Sequence, residues 1–225
     1  MSRSLKIAAA LAALTLPVAA HATVTVTSTG YGLTAPAGPG PLVTFDGEGG
    51  GFAGFTLGGT LPYGTQMGTS PLPGAAPYDG PVNGADMTNY LTVPTGGLAS
   101  LTSAAAYTTV SLFWGSIDSY NAFNLLDSSG NIFETITSST PGVLSPGNGD
   151  QTAADTNRRV TITSDTPFYG VSFGSQHDSF EADNIKFTSA VPEPATWMMM
   201  LFGFGFMGAA MRKARRKQGS AASFA

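Results

Sequence analysis

Two acidic side chains near the end of the chain have a spacing that could support chemistry. Glu181 and Asp183 are two positions apart, so on a β-strand they would lie on one face of the sheet. Asp118 and Tyr120 form a second polar pair upstream. Paired carboxyl groups can hydrolyse glycosidic bonds, and carboxylate oxygens are also ligands that Ca²⁺ prefers. These four residues are the candidate glycan or Ca²⁺ site, while Asp183 and Asn184 could equally satisfy backbone groups at the start of a strand.

A second polar run contains the residue types of a hydrolytic triad. A triad needs a nucleophile, a base and an orienting acid that converge from separate elements, whereas neighbours in sequence mostly point apart. We therefore expect a surface histidine here, and no HExxH motif occurs in the chain. The protein is predicted not to be an enzyme and to need no cofactor, with Ca²⁺ as the ion that its carboxylates could hold. The run consists of Ser175, His177, Asp178 and Ser179.

The charge distribution limits the partners of the middle of the chain. Between residues 23 and 190 there are three basic and 13 acidic residues, a net charge of −10. A module this acidic repels phosphate backbones, so we do not expect it to bind nucleic acid. The chain has no cysteine, so disulfides cannot stabilise this module and its hydrophobic core must do so.

Short segments rich in β-branched and aromatic residues recur through residues 23–190 and predict strands. The turn sequence at 127–130 predicts a hairpin between two of them. Trp114 ends the most apolar strand and is expected in the core, whereas Tyr120 is expected at the surface. The predicted fold class is mostly β, with a single β-sandwich of jelly-roll-like character. The predicted strands cover residues 23–27, 42–45, 90–93, 108–114, 122–126, 131–137, 160–163, 169–173 and 184–188.

Residues 28–87 follow a different pattern, in which Gly, Pro, Ala and Thr dominate and aromatic residues are isolated. A long loop without secondary structure is uncommon in a compact domain. Two alternatives therefore stay open at this point. Either several short strands lie in this segment, or it wraps the sandwich as irregular coil.

The N-terminus has the three parts of a secretory signal peptide. Two basic residues precede an apolar stretch, and the small residues Ala20 and Ala22 occupy the positions that signal peptidase recognises. We predict a signal peptide over residues 1–22 that is cleaved after Ala22, so that Thr23 begins the mature chain. The exported passenger domain is then residues 23–190.

The C-terminus contains a second apolar block, residues 195–211. As a helix it would span about 25 Å, which is near the lower limit for crossing a bilayer. Trp197 lies where an interfacial aromatic residue belongs, and the basic cluster that follows the block would stay in the cytoplasm. We predict a transmembrane helix over residues 195–211 and a cytoplasmic tail over residues 218–225. The basic cluster consists of Arg212, Lys213, Arg215, Arg216 and Lys217.

The tripeptide Pro192-Glu193-Pro194 stands directly before the apolar block. Its two prolines fix φ and remove backbone donors, so we expect an extended segment that a peptidase can grip. The order of Pro-Glu-Pro, apolar span and basic cluster over residues 191–217 resembles the PEP-CTERM sorting signal. With Trp197 three positions after Pro194, it resembles the PEPxxWA form of that signal.

This resemblance implies processing by an exosortase, an integral membrane enzyme of Gram-negative bacteria. Such systems usually accompany exopolysaccharide production and biofilm formation. The expected partners are signal peptidase, the exosortase and exopolysaccharide. The expected route is a transient inner-membrane anchor with a cytoplasmic C-terminus, followed by the cell surface or the extracellular matrix.

Two further segments resemble passengers of PEP-CTERM proteins. Residues 112–121 are similar to a block of one exosortase-dependent surface-protein family, and residues 180–185 are similar to the closing strand of many carbohydrate-binding sandwiches. The resemblance implies a β-sandwich without an established activity. The first hypothesis is a structural or adhesive surface protein, the second is a carbohydrate-binding module that could depend on Ca²⁺, and the third is a secreted glycan-active enzyme.

Overall fold

The structure is a computed structural model that describes residues 22–46, 52–60, 65–67, 74–189, 198–208 and 211–212. Up to residue 189 the described chain forms ten strands and one four-residue helix. In chain order these are β1 (Val24–Gly30), β2 (Leu42–Val43), β3 (Thr56–Thr60), β4 (Thr65–Met67), α1 (Gly80–Asn83), β5 (Asn89–Val93), β6 (Leu98–Gly115), β7 (Asn121–Leu126), β8 (Ile132–Ile136), β9 (Arg158–Ser175) and β10 (Phe180–Thr188).

Hydrogen bonds join the strands into one large antiparallel sheet with β6 and β9 at its centre. Each of these two strands has 18 residues and pairs along two separate halves. Residues 98–102 pair with residues 170–174, and residues 109–114 pair with residues 158–163, with register shifts between the halves. Because bulges bend a strand, these shifts let β6 and β9 turn as they cross the fold.

The bends divide the other strands into two sets. In the first set, β10 pairs with residues 109–115 of β6 and β1 pairs with residues 158–164 of β9. In the second set, β3 pairs with residues 98–102 of β6 and β7 pairs with residues 170–175 of β9. Both sets contribute to one hydrophobic core, for example through Leu101 and Trp114. This arrangement is consistent with a sandwich whose strands pass from one layer to the other. The prediction of a mostly β fold is confirmed, while the jelly-roll connectivity stays a prediction.

Each predicted strand overlaps an observed one, but the long strands were predicted as shorter pieces. Segments 160–163 and 169–173 belong to the single strand β9, because residues 164–168 stay extended across its bend. The hairpin between β7 and β8 is confirmed by the hydrogen bonds from the Asp127 amide to the Asn131 carbonyl (2.9 Å) and from the Gly130 amide to the Asp127 carbonyl (3.0 Å). Trp114 is fully buried, as expected.

The segment 28–87 combines the two alternatives that its composition left open. It contains the short elements β2, β3, β4 and α1, and irregular coil joins them in the described part. The short strands pair with edges of the long ones, as β3 does with residues 98–102 of β6. Pairing with distant strands therefore supplies the order that the local sequence does not.

Residues 198–208 form a helix whose large apolar side chains are exposed. Met199 is 76% exposed and Phe206 is 75% exposed, whereas the apolar residues of the core are buried. Among the described residues, no helix reaches the length and apolar character that crossing a membrane requires. The transmembrane helix over residues 195–211 therefore stays a prediction.

Three of the residues singled out in the two predicted terminal signals lie in the described ranges. Thr23, at the predicted cleavage point, precedes β1, and Arg212 is helical and exposed. Ala22 is the third, and the remaining residues singled out in these signals lie outside the described ranges. They are Ala20, Pro192, Glu193, Pro194, Trp197, Lys213, Arg215, Arg216 and Lys217.

Candidate functional site

Glu181 and Asp183 lie on the face of β10 that points away from the core. Phe180 and Ala182 belong to the core cluster, so the alternation of a strand directs the two carboxyl groups to the opposite face. That face is nevertheless covered, since Glu181 is 1% exposed and Asp183 is 0% exposed. Both acidic groups are therefore buried, and each needs partners to compensate for its lost hydration.

The segment at residues 74–77 covers Glu181. It approaches β6 so closely that a Cβ atom added to Gly115, the register partner of Glu181, would lie 2.9 Å from Cα of Pro77. Only glycine leaves room for this approach. The position of the covering segment therefore depends on glycine at position 115, because any side chain there would displace Pro77.

Three donors hold the Glu181 carboxyl group in place. Its Oε2 atom accepts a hydrogen bond from the Ser116 hydroxyl at 2.6 Å. Its Oε1 atom accepts one from the Ala75 amide at 3.2 Å and one from the Ser179 hydroxyl. Burial raises the pKa of Glu181 to about 7, although these hydrogen bonds lower it and the charge of Asp118 raises it further. The group thus joins three separate segments of the chain.

A cavity of about 390 Å³ opens beside Glu181. Its volume lies in the lower part of the range of about 300–1,000 Å³ that is usual for small-molecule sites. Polar side chains and small residues line it, so a hydrophilic ligand such as a sugar fits its chemistry better than an apolar one. Apart from Glu181, the lining consists of Gly74, Ala75, Ser116, Asp118, Tyr120, Asn148, Gly149, Gln151, Asp178 and Ser179.

Asp118 and Tyr120 come from the turn between β6 and β7 and form one wall of the cavity. The Tyr120 hydroxyl donates to the Asp178 carbonyl at 2.8 Å, and its ring packs edge-on against His177 at 5.0 Å. Burial raises the pKa of Asp118, although the nearby Tyr120 hydroxyl lowers it. Tyr120 is half-buried, so part of its ring remains available to a ligand.

Asn157 positions the walls of the cavity, although sequence reasoning did not single it out. This side chain is 0% exposed. Its Oδ1 atom accepts from the amides of Tyr78 (3.0 Å) and Ser116 (3.2 Å). Its Nδ2 atom donates to the carbonyls of Asp150 (3.2 Å) and Ala153 (3.0 Å). No local pattern could have revealed it, because Tyr78 is 79 positions away in the chain.

Asp183 lies apart from the cavity. Asp183 is the last residue of β10 that pairs with β6 before a register shift, and regular pairing resumes at Lys186. In the described part of the chain, neither of its carboxyl oxygens has a hydrogen-bond partner. The neighbouring amide of Asn184 is close enough to lower the pKa of Asp183, but not in good hydrogen-bonding geometry. Asp183 therefore lies inside β10, whereas the sequence pattern placed it at the start of a strand.

The polar run at residues 175–179 does not form a triad. The Ser175 hydroxyl donates to the His177 carbonyl, and the Ser179 hydroxyl donates to Glu181. His177 is exposed, in agreement with the expected surface position. Asp178 accepts from the amide and the hydroxyl of Thr95, at 2.8 and 2.7 Å. Across the described ranges, no group of three or more His, Cys, Asp or Glu side chains is already placed to hold a metal ion.

The four candidate residues thus divide between two places in the fold. Asp118, Tyr120 and Glu181 surround the cavity, and Asp183 lies outside its lining. Sequence reasoning also missed Ser116, although it stands inside the family-like block at residues 112–121. Its position directly after the most apolar strand was the signal that could have found it.

The C-terminal residues show which sorting signal is present. The family described as PEP-CTERM protein-sorting motif matches residues 190–217. The chain carries a PEP-CTERM sorting signal. The match spans the Pro-Glu-Pro tripeptide, the apolar block and the basic cluster. A PEP-CTERM signal implies export and an exosortase as the processing partner.

A search of curated proteins found no protein similar to this chain. The function of the passenger must therefore be argued from the geometry of its cavity and of its buried acidic residues.

Proposed function

We propose that this is an exported surface or matrix protein that an exosortase cleaves near Pro192–Pro194. The PEP-CTERM signal at residues 190–217 carries this proposal. Signal peptidase first removes residues 1–22. The helix at residues 195–211 then holds the chain transiently in the inner membrane, with the basic cluster in the cytoplasm, until cleavage transfers the passenger to the cell surface of a Gram-negative bacterium.

The exposed helix at residues 198–208 supports this route. The core cluster of the passenger is built from residues between Val43 and Phe187, so the helix contributes nothing to it. Side chains such as Phe206, 75% exposed, are unfavourable in water and favourable in lipid. The helix therefore suits a membrane environment rather than the interior of the passenger.

Fractionation of cells tests the proposed route. In a strain that has the exosortase, we expect the passenger at the surface or in the medium. In an exosortase deletion strain, we expect it in the inner-membrane fraction, because the uncut helix retains it. Equal distribution of the passenger in the two strains would contradict the proposal. A secreted protein without the signal is the control for intact export.

The polar cavity favours carbohydrate binding as the function of the passenger, in keeping with an association with exopolysaccharide and biofilm. Carboxylates and the Tyr120 hydroxyl can bond to sugar hydroxyls, and an aromatic ring offers a stacking surface. Glu181 is already engaged by three donors, which supports a positioning role and a protein that is not an enzyme. Because the passenger is acidic, we expect neutral polysaccharides to bind better than polyanionic ones.

The Asp118→Ala variant is expected to weaken polysaccharide binding by about tenfold or more. A hydrogen bond to a charged group contributes about 1.5–3 kcal/mol, and about 1.4 kcal/mol corresponds to tenfold. Co-sedimentation of the mature protein with neutral and acidic polysaccharides measures this. Asp155→Asn is the matched control, since Asp155 is exposed and outside the cavity. Equal affinity of wild type and Asp118→Ala would exclude the cavity as the binding site.

A further inference from the structure

Two aspartates from distant parts of the chain bring unpartnered oxygen atoms together below the surface. Asp183 is 0% exposed and Asp86 is 2% exposed. Within the described residues, Oδ2 of Asp86 and both carboxyl oxygens of Asp183 make no hydrogen bond. The pairing of β10 with β2 and β5 brings Asp183 beside the end of β2, which leads to Asp46, and beside the start of β5, which follows Asp86. Besides burial, the charges of Asp86 and Asp46 and the close approach of the Asp86 carboxyl group raise the pKa of Asp183.

Hydrogen bonds hold Asp86 and Asp46 in place through one carboxyl oxygen each. Oδ1 of Asp86 accepts from the amide and the hydroxyl of Thr88, at 2.9 and 2.6 Å. Oδ1 of Asp46 accepts from the Asn89 amide at 2.9 Å. The Asp86 carboxyl group is therefore held by one oxygen, and its second oxygen remains for another partner. A rigid acceptor of this kind is preorganised for a cation.

Burial makes this arrangement unfavourable without a further partner. A buried polar atom that lacks a hydrogen bond costs about 1–3 kcal/mol, and charged groups cost more. Arg159 is a buried cation that interacts electrostatically with Asp183, but its guanidinium group donates to backbone carbonyls instead. The charges of the two aspartates thus lack a direct counter-ion among the described side chains.

We propose that Asp86 and Asp183 bind a Ca²⁺ ion between β10 and the segment that precedes β5, with Asp46 at the edge of the site. The donor set consists of oxygen atoms, and Ca²⁺ accepts carboxylates, backbone carbonyls and water in a flexible geometry. Zinc sites in proteins are built mainly from histidine and cysteine, neither of which belongs to this donor set. Only two carboxylates are at the centre of the site, so carbonyls and water must supply the remaining ligands.

The proposed ion has a structural consequence for the neighbouring cavity. It would hold residues 84–89 against β10. Its ligand on that strand, Asp183, is two positions from Glu181, which lines the cavity. The site is distinct from the cavity, because neither Asp86 nor Asp183 lines it. Binding of Ca²⁺ at this site depends neither on the sorting route nor on carbohydrate binding.

Calorimetric titration and thermal unfolding of the mature protein test the proposal. After treatment with EDTA and dialysis, we expect the protein to bind one Ca²⁺ ion per chain. Saturating Ca²⁺ is expected to raise the unfolding midpoint by about 5 °C or more. The variants Asp183→Asn and Asp86→Asn, which keep the side-chain shape, should each weaken Ca²⁺ binding by at least about tenfold. The exposed-site variant Asp155→Asn should bind Ca²⁺ as wild type does.

Two results would overturn the proposal. The first is the absence of Ca²⁺ binding to wild type together with an unfolding midpoint that EDTA does not change, because a proton shared by the two carboxyl groups would then be their partner. The second is loss of Ca²⁺ binding in Asp118→Asn but not in Asp183→Asn, because the ion would then lie in the cavity. If Asp183→Asn does not fold, Ca²⁺ binding by the wild-type protein and its loss in Asp86→Asn test the proposal in its place.

Discussion

Alanine in place of both Pro192 and Pro194 is expected to leave the protein uncut in the membrane. Proline disfavours a helix by about 3 kcal/mol per residue relative to alanine, so the substitution lets the apolar helix extend through the cleavage segment. An energy of about 1.4 kcal/mol already changes a population tenfold. Cleavage should therefore fall by about tenfold or more, as measured by the ratio of mature to uncut protein on immunoblots.

The Glu193→Gln variant separates the two ways in which the tripeptide could act. This change removes the charge and keeps both prolines. If backbone conformation governs cleavage, Glu193→Gln should be cut much faster than the double alanine variant. Cleavage of the double alanine variant at the wild-type rate would show that an extended tripeptide is not required.

Methionine in place of Arg159 is expected to cause the largest loss of stability in the passenger. Arg159 is 7% exposed, and its guanidinium group donates to the carbonyls of Gly32 (2.8 Å), Leu33 (2.5 Å) and Asn184 (2.7 Å). Methionine fills a similar volume but donates nothing, so these carbonyls lose their partner. We expect the free energy of unfolding to fall by about 3–5 kcal/mol, as measured by urea denaturation.

Asp79 explains why this loss should spread beyond one side chain. Its Oδ1 atom accepts from the amides of Gly32 (2.7 Å) and Leu33 (3.0 Å), while Arg159 bonds to the carbonyls of the same residues. Burial raises the pKa of Asp79, but these amides outweigh it and the net pKa is lowered. The two side chains together hold the segment after β1 against the sheet.

Arg158→Met is the matched control for Arg159→Met. Arg158 is also buried, at 9% exposed, but among the described residues its side chain donates only to the Ser28 hydroxyl (2.9 Å) and the Ala154 carbonyl (3.2 Å). We expect it to lose less than half as much stability as Arg159→Met. Equal losses in the two variants would show that burial of an arginine stem, rather than its carbonyl contacts, determines the effect.

The strands of the passenger could be predicted because their signals are local. β-Branched and aromatic residues cluster over four to seven positions, and a turn sequence at 127–130 separates β7 from β8. Period-two alternation also placed Glu181 and Asp183 on one face of β10. What could not be predicted is that β9 continues through residues 164–168, because the bend depends on its pairing with β6.

The surroundings of the acidic residues could not be predicted, because the segment 28–87 supplies them. Ala75, which bonds to Glu181, is 106 positions away from it. Asp46 and Asp86 lie in the same Gly-rich and Pro-rich segment, which has no periodicity to show where it folds. A single sequence therefore identified Glu181 and Asp183 as a pair, but the tertiary contacts place one beside a cavity and the other against two aspartates.

The intact mass of the mature protein tests the sorting mechanism most directly. In a strain with the exosortase, the account predicts a chain that begins at Thr23 and ends near Pro194, without the apolar helix or the basic cluster. In a strain without the exosortase, it predicts a chain that begins at Thr23 and extends to Ala225. A mature protein of the same mass in both strains, with residues 195–225 still attached, would contradict processing by an exosortase.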